Sequence, residues 1–437
     1  EASEVFQAGL AAHPTSGGVM VSYAALLASS GDTEAAMDMY RRGIEATHHR
    51  EGARYGDALV AYAMLLDRHK GGLSGESGYL YGQAIEADPS NIVALYSLGQ
   101  FLQEQGGDNA GAERCFSRAL SLKPDDTSIL CSLAGLLDET DKGAEVAREL
   151  YERALGLNPG SDDIACDYAT LLHARLGQPE QAEEVLKGVL HRNSTNVMAM
   201  CKYGRLYEDG FKQHDRAEAM YLRALDLEPQ CVTALCSLGT LMQDILQDYQ
   251  SAATYYRRAL DVNPGHTTTL CNYGTLLHDA MNDFEKAEKM YQAALASEPT
   301  HPTTLCNYAG MQRERGDVAA AEMLYKRSIA SDPSDSVNLC LLANLLREAK
   351  KDFKGAERLY KRALDNDPTS VPTLLNFGHL CALNCNDYDR AEKLLKQAVK
   401  VAPNNADATN GVEWIRHVKA VAEQIRPAAA VKSVKGK

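Results

Sequence analysis

The chain has 437 residues with 45 basic and 59 acidic side chains, a formal charge of −14, which disfavours a nucleic-acid or anionic-membrane surface as its main partner. No window of about eighteen apolar residues exists to span a bilayer, and no signal peptide is visible. The eleven cysteines are odd in number and mostly fall on a repeat period rather than in paired spacings, which points to reduced thiols in a cytoplasmic type of compartment.

In chain order, EASEVFQAGLAAHP has the pattern of the second helix of a hairpin, with Ala2 small, Phe6 large and Pro14 as the stop. Residues 1–16 therefore read as half a repeat, as though more chain preceded Glu1. A tandem array is expected over residues 17–405. Its first repeat is Gly17–Arg50, after which residues 48–52 add a stretch outside the period. The second, about Gly56–Asn91, contains KGGLSGESG, whose glycines predict a longer and looser loop. From Ile92 to Asn405 nine repeats run nearly uninterrupted, closing on prolines such as Pro124, Pro159, Pro229, Pro264 and Pro299, with Asn193 breaking the rule. Residues 406–426 read as one more amphipathic helix, with Trp414, Ile415, Val418 and Val421 or Ile425 turned to the last repeat as a cap. The tail, 427–437, is small, basic and expected to be disordered.

The stretch Thr267–His301 shows the unit best. Apolar residues at Leu270, Tyr273, Leu276 and Leu277, then at Ala287, Met290, Tyr291, Ala294 and Leu295, recur at helical spacing and predict two short amphipathic helices, A and B. Asn282 and Asp283 are placed to end helix A and cap helix B, and Pro299 stops helix B. Each helix is too short to be stable alone, so the apolar faces must be buried by stacking on further copies. Helix A carries a small residue in one column (Gly99, Ala134, Gly204, Gly239, Gly274, Gly378) and helix B carries another (Ala112, Ala147, Ala217, Ala252, Ala287, Ala391). Four residues after the second comes a large side chain, as at Phe116, Tyr151, Tyr221, Tyr256 and Tyr291. Close helix approach needs such small residues, and the ring fills the space beside them.

The order L-x-x-[LY]-[GA] on helix A, then A-x-x-x-[FY]-x-x-A-L and a closing proline, resembles the tetratricopeptide repeat over roughly nine-tenths of the chain. Two departures stand out: the family's early tryptophan is Leu235, Leu270, Met200 or Ala165 here, and most copies carry one extra residue between the helices. The resemblance implies an all-α, right-handed superhelical solenoid of about eleven helix-turn-helix repeats. It also implies a concave face lined by the A helices, and a non-enzymatic scaffold that binds a peptide or protein segment there.

No nucleotide, zinc, acyl-transfer or redox motif is present, so neither catalytic residues, a metal site nor a cofactor is expected. Cys381 and Cys385, near His379, share a helix face, but the ligand set is incomplete and Cys381 falls on a core position.

The candidate site is the inner face of helix A. Cys201, Cys236, Cys271 and Cys306 belong to one column running through successive repeats. The column has two readings: a small apolar residue fitting between neighbouring helices, or the floor of a narrow binding groove. Beside it stand Asn272, Asn307 and Asn376, a row similar to the one in the repeat arm of O-linked N-acetylglucosamine transferases, where asparagines hold a peptide backbone. A carboxamide can donate and accept at once, which suits that task, though it can equally bond local backbone or face solvent. Thr240, Thr275 and Arg205 follow on the same face, and Asp244, Asp279, Glu314 and Glu348 edge its end, so a basic or polar protein segment is the partner expected. The family's carboxylate clamp for heat-shock chaperones needs a lysine where these repeats carry cysteine, and is expected to be absent. On the other face Glu183 with Lys187 and Glu322 with Lys326 are spaced four apart, as on a solvated surface. Two other functions fit the period: the targeting arm of a larger enzyme, and a pentatricopeptide-like RNA reader, the latter opposed by the acidic balance.

Overall fold

The fold is described by a computed structural model over residues 2–47, 52–104, 107–138 and 143–425. The segment 48–51, part of the break expected after the first repeat, and the tail expected to be disordered lie outside the described residues. Among those described, all regular structure is helical, and none of the helices is long and apolar enough to cross a membrane. The chain forms two compact units, Glu1–Leu227 and Glu228–Lys437.

The first unit opens with a lone helix, Ala2–Ala12, whose Phe6 stacks on Tyr23 at 5.7 Å. Helix pairs follow, from Gly17–Ser30 with Thr33–Glu45 through to Val197–Arg205 with His214–Leu227. The second unit runs from the pair Val232–Asp244 and Tyr249–Val262 to the pair Val371–Leu383 and Tyr388–Val401, and ends in the helix Ala406–Ile425. Within each unit every A helix packs on its own B helix, and every B helix on the next A helix. The fold is thus an α-solenoid of helical hairpins, eleven pairs among the described residues.

The hairpin corner is made by two residues. The second is an aspartate that caps helix B: Asp283 accepts from the Lys286 amide at 3.1 Å, and Asp108, Asp248, Asp317, Asp352 and Asp387 do the same in their repeats. Such a cap satisfies an amide that the first helical turn otherwise leaves unpaired. The residue before it turns the chain through the left-handed region, glycine at Gly107 and Gly316 but Gln247, Asn282, Lys351 and Asn386 elsewhere. The extra residue expected between the helices is absorbed differently in three repeats, where helix A ends in a π turn at Leu206–Gly210, Leu276–Ala280 and Leu346–Lys350.

Packing follows from the small columns, with one difference from the expected small-against-small contact. The helix A glycine seats the large ring of its own helix B: a Cβ at Gly239 would lie 2.5 Å from the Tyr256 ring, and one at Gly204 2.5 Å from that of Tyr221. The ring then meets an aromatic of the next helix A, as in Tyr291 with Tyr308 at 5.6 Å and Tyr360 with Phe377 at 5.5 Å. One side chain therefore ties three helices together, and Tyr256, Tyr291 and Tyr360 are fully buried.

Three further expectations are corrected. KGGLSGESG is not a long loop, because Lys70 ends one helix and Gly75 begins the next, with Ser74 capping through Ser77. The proline column passes through Ser194, not Asn193: the Ser194 carbonyl accepts from Arg223 at 2.9 Å, as the Pro229 and Pro299 carbonyls accept from Arg258 and Arg327. The spaced Glu–Lys pairs do form, at 2.8 Å for both Glu183–Lys187 and Glu322–Lys326, yet they are more than a solvated surface. The Glu183 carboxylate also accepts from the Tyr203 hydroxyl at 2.8 Å, Glu322 pairs with Lys350, and Glu357 pairs with Arg390 at 2.7 Å, so each carboxylate bridges to the next repeat.

Three predictions follow from this packing. Gly239→Ala forces the Tyr256 ring from its seat and should cost about 1–3 kcal/mol, read as a lower denaturation midpoint. Lys351→Gly relieves a left-handed backbone and should raise stability by roughly 1 kcal/mol. The carboxylates of Glu183, Glu322 and Glu357 are held below the usual range, first by the lysine four residues on. Since their folded pKa lies below the unfolded value of about 4.3, their contribution is present above that pH and lost as pH falls through the folded value. The thermal midpoint should therefore fall in acid, and Glu322→Gln should make that fall shallower.

Candidate functional site

Within each unit successive A helices touch one another, whereas successive B helices touch less, which places the A helices on the inner side of the stack. In the second unit the predicted residues meet in a lateral network. Asn272 Nδ2 donates to Thr240 Oγ1 of the preceding repeat at 3.2 Å and to Cys236 Sγ at 4.0 Å. One repeat on, Asn307 Nδ2 donates to Thr275 Oγ1 at 3.0 Å and to Cys271 Sγ at 3.8 Å. Asn376 reaches Cys340 Sγ at 3.9 Å. Each threonine hydroxyl lies near its own helix carbonyl, Cys236 O at 3.2 Å and Cys271 O at 3.1 Å, and near the plug hydroxyl of Tyr256 or Tyr291 at 3.2 Å.

This geometry fixes what the asparagine row offers. A threonine has one hydroxyl proton and two lone pairs; with the proton given to the carbonyl, it can accept from both the asparagine N–H and the tyrosine hydroxyl. The donor half of Asn272 and Asn307 is therefore spent within the protein. The carboxamide oxygens are the remaining acceptors of these side chains.

The first unit shows the same lateral bond in another chemistry. Lys202, in the asparagine column, donates to Thr170 Oγ1 at 3.0 Å and pairs with Asp167 at 3.1 Å. Earlier, Ser132 lies 3.1 Å from the Tyr96 hydroxyl. Cys201 is buried, and Arg205 is largely exposed and pairs with Asp209 at 3.4 Å. In the second unit Cys236 and Cys271 are also buried, at 7% and 1% exposure, and Cys306 is half-buried. Cys201, Cys236 and Cys271 are thus largely covered by their neighbours, whereas Cys306 keeps part of its surface.

The acidic edge is present. Asp244 and Asp279 are exposed, and burial of its inner part lifts the Asp244 carboxyl above its ordinary pKa. Sequence reasoning missed the group between two of these acids. His278, 7% exposed, faces Asp279 through Nδ1 at 2.8 Å and Glu314 of the next repeat through Nε2 at 3.0 Å. Its histidine is not periodic, so no column marked it. Trp414, expected to face the last repeat, meets His379 edge to face at 5.1 Å and is only half-buried.

None of the eleven cysteines, all within the described residues, is bridged. Burial pushes the thiols of Cys131, Cys166 and Cys306 up to about 11 and that of Cys381 to about 12. Cys385 is exposed while Cys381 is buried, so the two do not present a shared thiol surface. Because thiolate is the reactive form, alkylation of the native protein at about pH 8 should label Cys385 first and the column only on unfolding, as peptide mapping would read. Early labelling of Cys236 or Cys271 would contradict the burial described.

A family profile described as Tetratricopeptide repeat matches residues 141–197 and 347–414, and a second of the same description matches 171–230, 211–267 and 274–336. No curated protein matches the chain. Among solved structures, the crystal structure of the yeast Tom70 aligns with a TM-score of 0.51 at 16% identity, covering 94% of this chain and 96% of that one. The Cut9–Hcn1 hetero-tetramer of the APC/C aligns with a TM-score of 0.49 at 11% identity, covering 95% of this chain and 92% of that one. At such identities the likeness is one of fold.

Proposed function

The chain belongs to the tetratricopeptide repeat family, and from that premise we propose that it is a non-enzymatic scaffold whose inner face holds a donor-rich, basic segment of a partner protein. The observation that carries this is the direction of the asparagine network. Asn272 and Asn307 donate to Thr240 and Thr275, which leaves their carboxamide oxygens free to act as acceptors beside the carboxylates of Asp244, Asp279 and Glu314. Acceptors and carboxylates together attract lysine, arginine and peptide N–H groups, and repel an acidic tail. Affinity would be spread over several repeats, each contact shallow, as extended peptide recognition allows.

The test must change charge without opening the core, which rules out arginine in place of the buried Cys271. Asp244→Lys with Asp279→Lys alters only exposed positions. Against an array of lysine- or arginine-bearing extended peptides, the wild type should bind in a salt-sensitive manner, and the double variant should lose at least about tenfold, or 1.4 kcal/mol, with an unchanged helical spectrum. Equal binding by the variant, or a preference for acidic peptides, would refute the proposal.

A further inference from the structure

At the end of the second unit, helix Val371–Leu383 and helix Ala406–Ile425 leave a hollow of about 560 Å³ between them. It lies on the same columns as the asparagine network: Asn376 continues the asparagine row, and His379 and Trp414 continue, at the repeat spacing, the column of Thr240 and Thr275. The hollow is walled in part by the indole of Trp414, the only tryptophan in the chain.

Its formal charge is one-sided. Asp407 is the only formally charged residue of its lining, and has no ion-pair partner among the described residues. His379 has its pKa lowered, by burial first and by Arg347 second, so it is neutral near pH 7 and adds no positive charge. Arg347 does not line the hollow; it donates to the Asn376 backbone carbonyl at 3.4 Å and is paired with Glu348. Asn376 directs one of its two N–H groups to Cys340 Sγ at 3.9 Å, and its oxygen is an acceptor. Asn410 is exposed at the rim. Asn405, also in the lining, spends its oxygen on the Ala408 amide at 2.9 Å, so the one charge and the one aromatic ring, Asp407 and Trp414 beside the apolar Leu375, decide which side chain suits the hollow. An arginine carries a planar, weakly hydrated cation with five donors, which stacks on aromatic faces and bonds to several acceptors, while its stem covers apolar surface.

We infer that the hollow between the last hairpin and the terminal helix is an anchoring pocket for a single arginine side chain of the bound segment, with Asp407 pairing the guanidinium and Trp414 stacking on it. The inference rests on the inner-face reading and adds to it a fixed point that sets the register of the segment.

Trp414 makes the test direct, because all tryptophan emission comes from the pocket itself. The probe is an acetylated, amidated peptide of alanine and serine with one central arginine, titrated into the full chain at low salt. Saturable change in emission is expected, weakened about tenfold by Asp407→Asn and several-fold when lysine replaces the arginine. A citrulline peptide, the same shape without charge, should bind no better than the all-alanine control. Emission that does not change, or citrulline binding equal to arginine, overturns the inference. The Asp244→Lys, Asp279→Lys protein separates the two proposals. If Asp407→Asn leaves array binding intact while the lysine pair abolishes it, the pocket is wrong and the inner-face reading stands; if neither changes it, both fail.

Discussion

The stack depends on a large side chain of helix B, a ring in most repeats and Leu395 in the last hairpin, packed on a small residue of helix A. A helix of about fourteen residues cannot hold itself together in water, and a single hairpin buries too little to do better. The seat solves this by bringing the two backbones close enough for the ring to reach past them to the next repeat. Tyr256 touches Gly239 on its own hairpin and Tyr273 on the next, with ring centroids 6.0 Å apart. Cohesion and propagation are thus one contact.

The same tyrosines connect that core to the inner face. Tyr256 and Tyr291 end in hydroxyls 3.2 Å from Thr240 and Thr275, which in turn receive the asparagine amides of the following repeat. Buried polar networks of this kind are costly unless every member is satisfied, and here the threonine is the hinge of the accounting. Its hydroxyl meets the helix carbonyl, the tyrosine hydroxyl and the asparagine amide together.

Much of this was legible in the residues. The period, the two helices, the small columns and the aspartate at Asp283 all follow from spacing, because each is repeated many times and errors in one copy are corrected by the others. What spacing could not supply is the rotation between neighbouring helices. That rotation puts Asn272 against a threonine 32 residues earlier and not against solvent, and it turns the cysteines inward. The π turns were likewise invisible, since an added residue can be taken up in a loop or in a helix with the same letters. Single-copy features were hardest: His278 and the hollow beside Trp414 have no column to announce them.

The π turns recur at Leu206, Leu276 and Leu346, in every second repeat. In the second unit Asp279 and Glu348 consequently hang from an underwound helix end, while Asp244 and Glu314 hang from an ordinary one. The edge of the face thus alternates, and its true repeat there is two hairpins. With A helices about 9 Å apart and an extended chain advancing about 3.3 Å per residue, a ligand would meet equivalent carboxylates roughly every six residues. A partner adapted to this surface would carry its cations on that doubled beat, a signature to be sought in its own sequence.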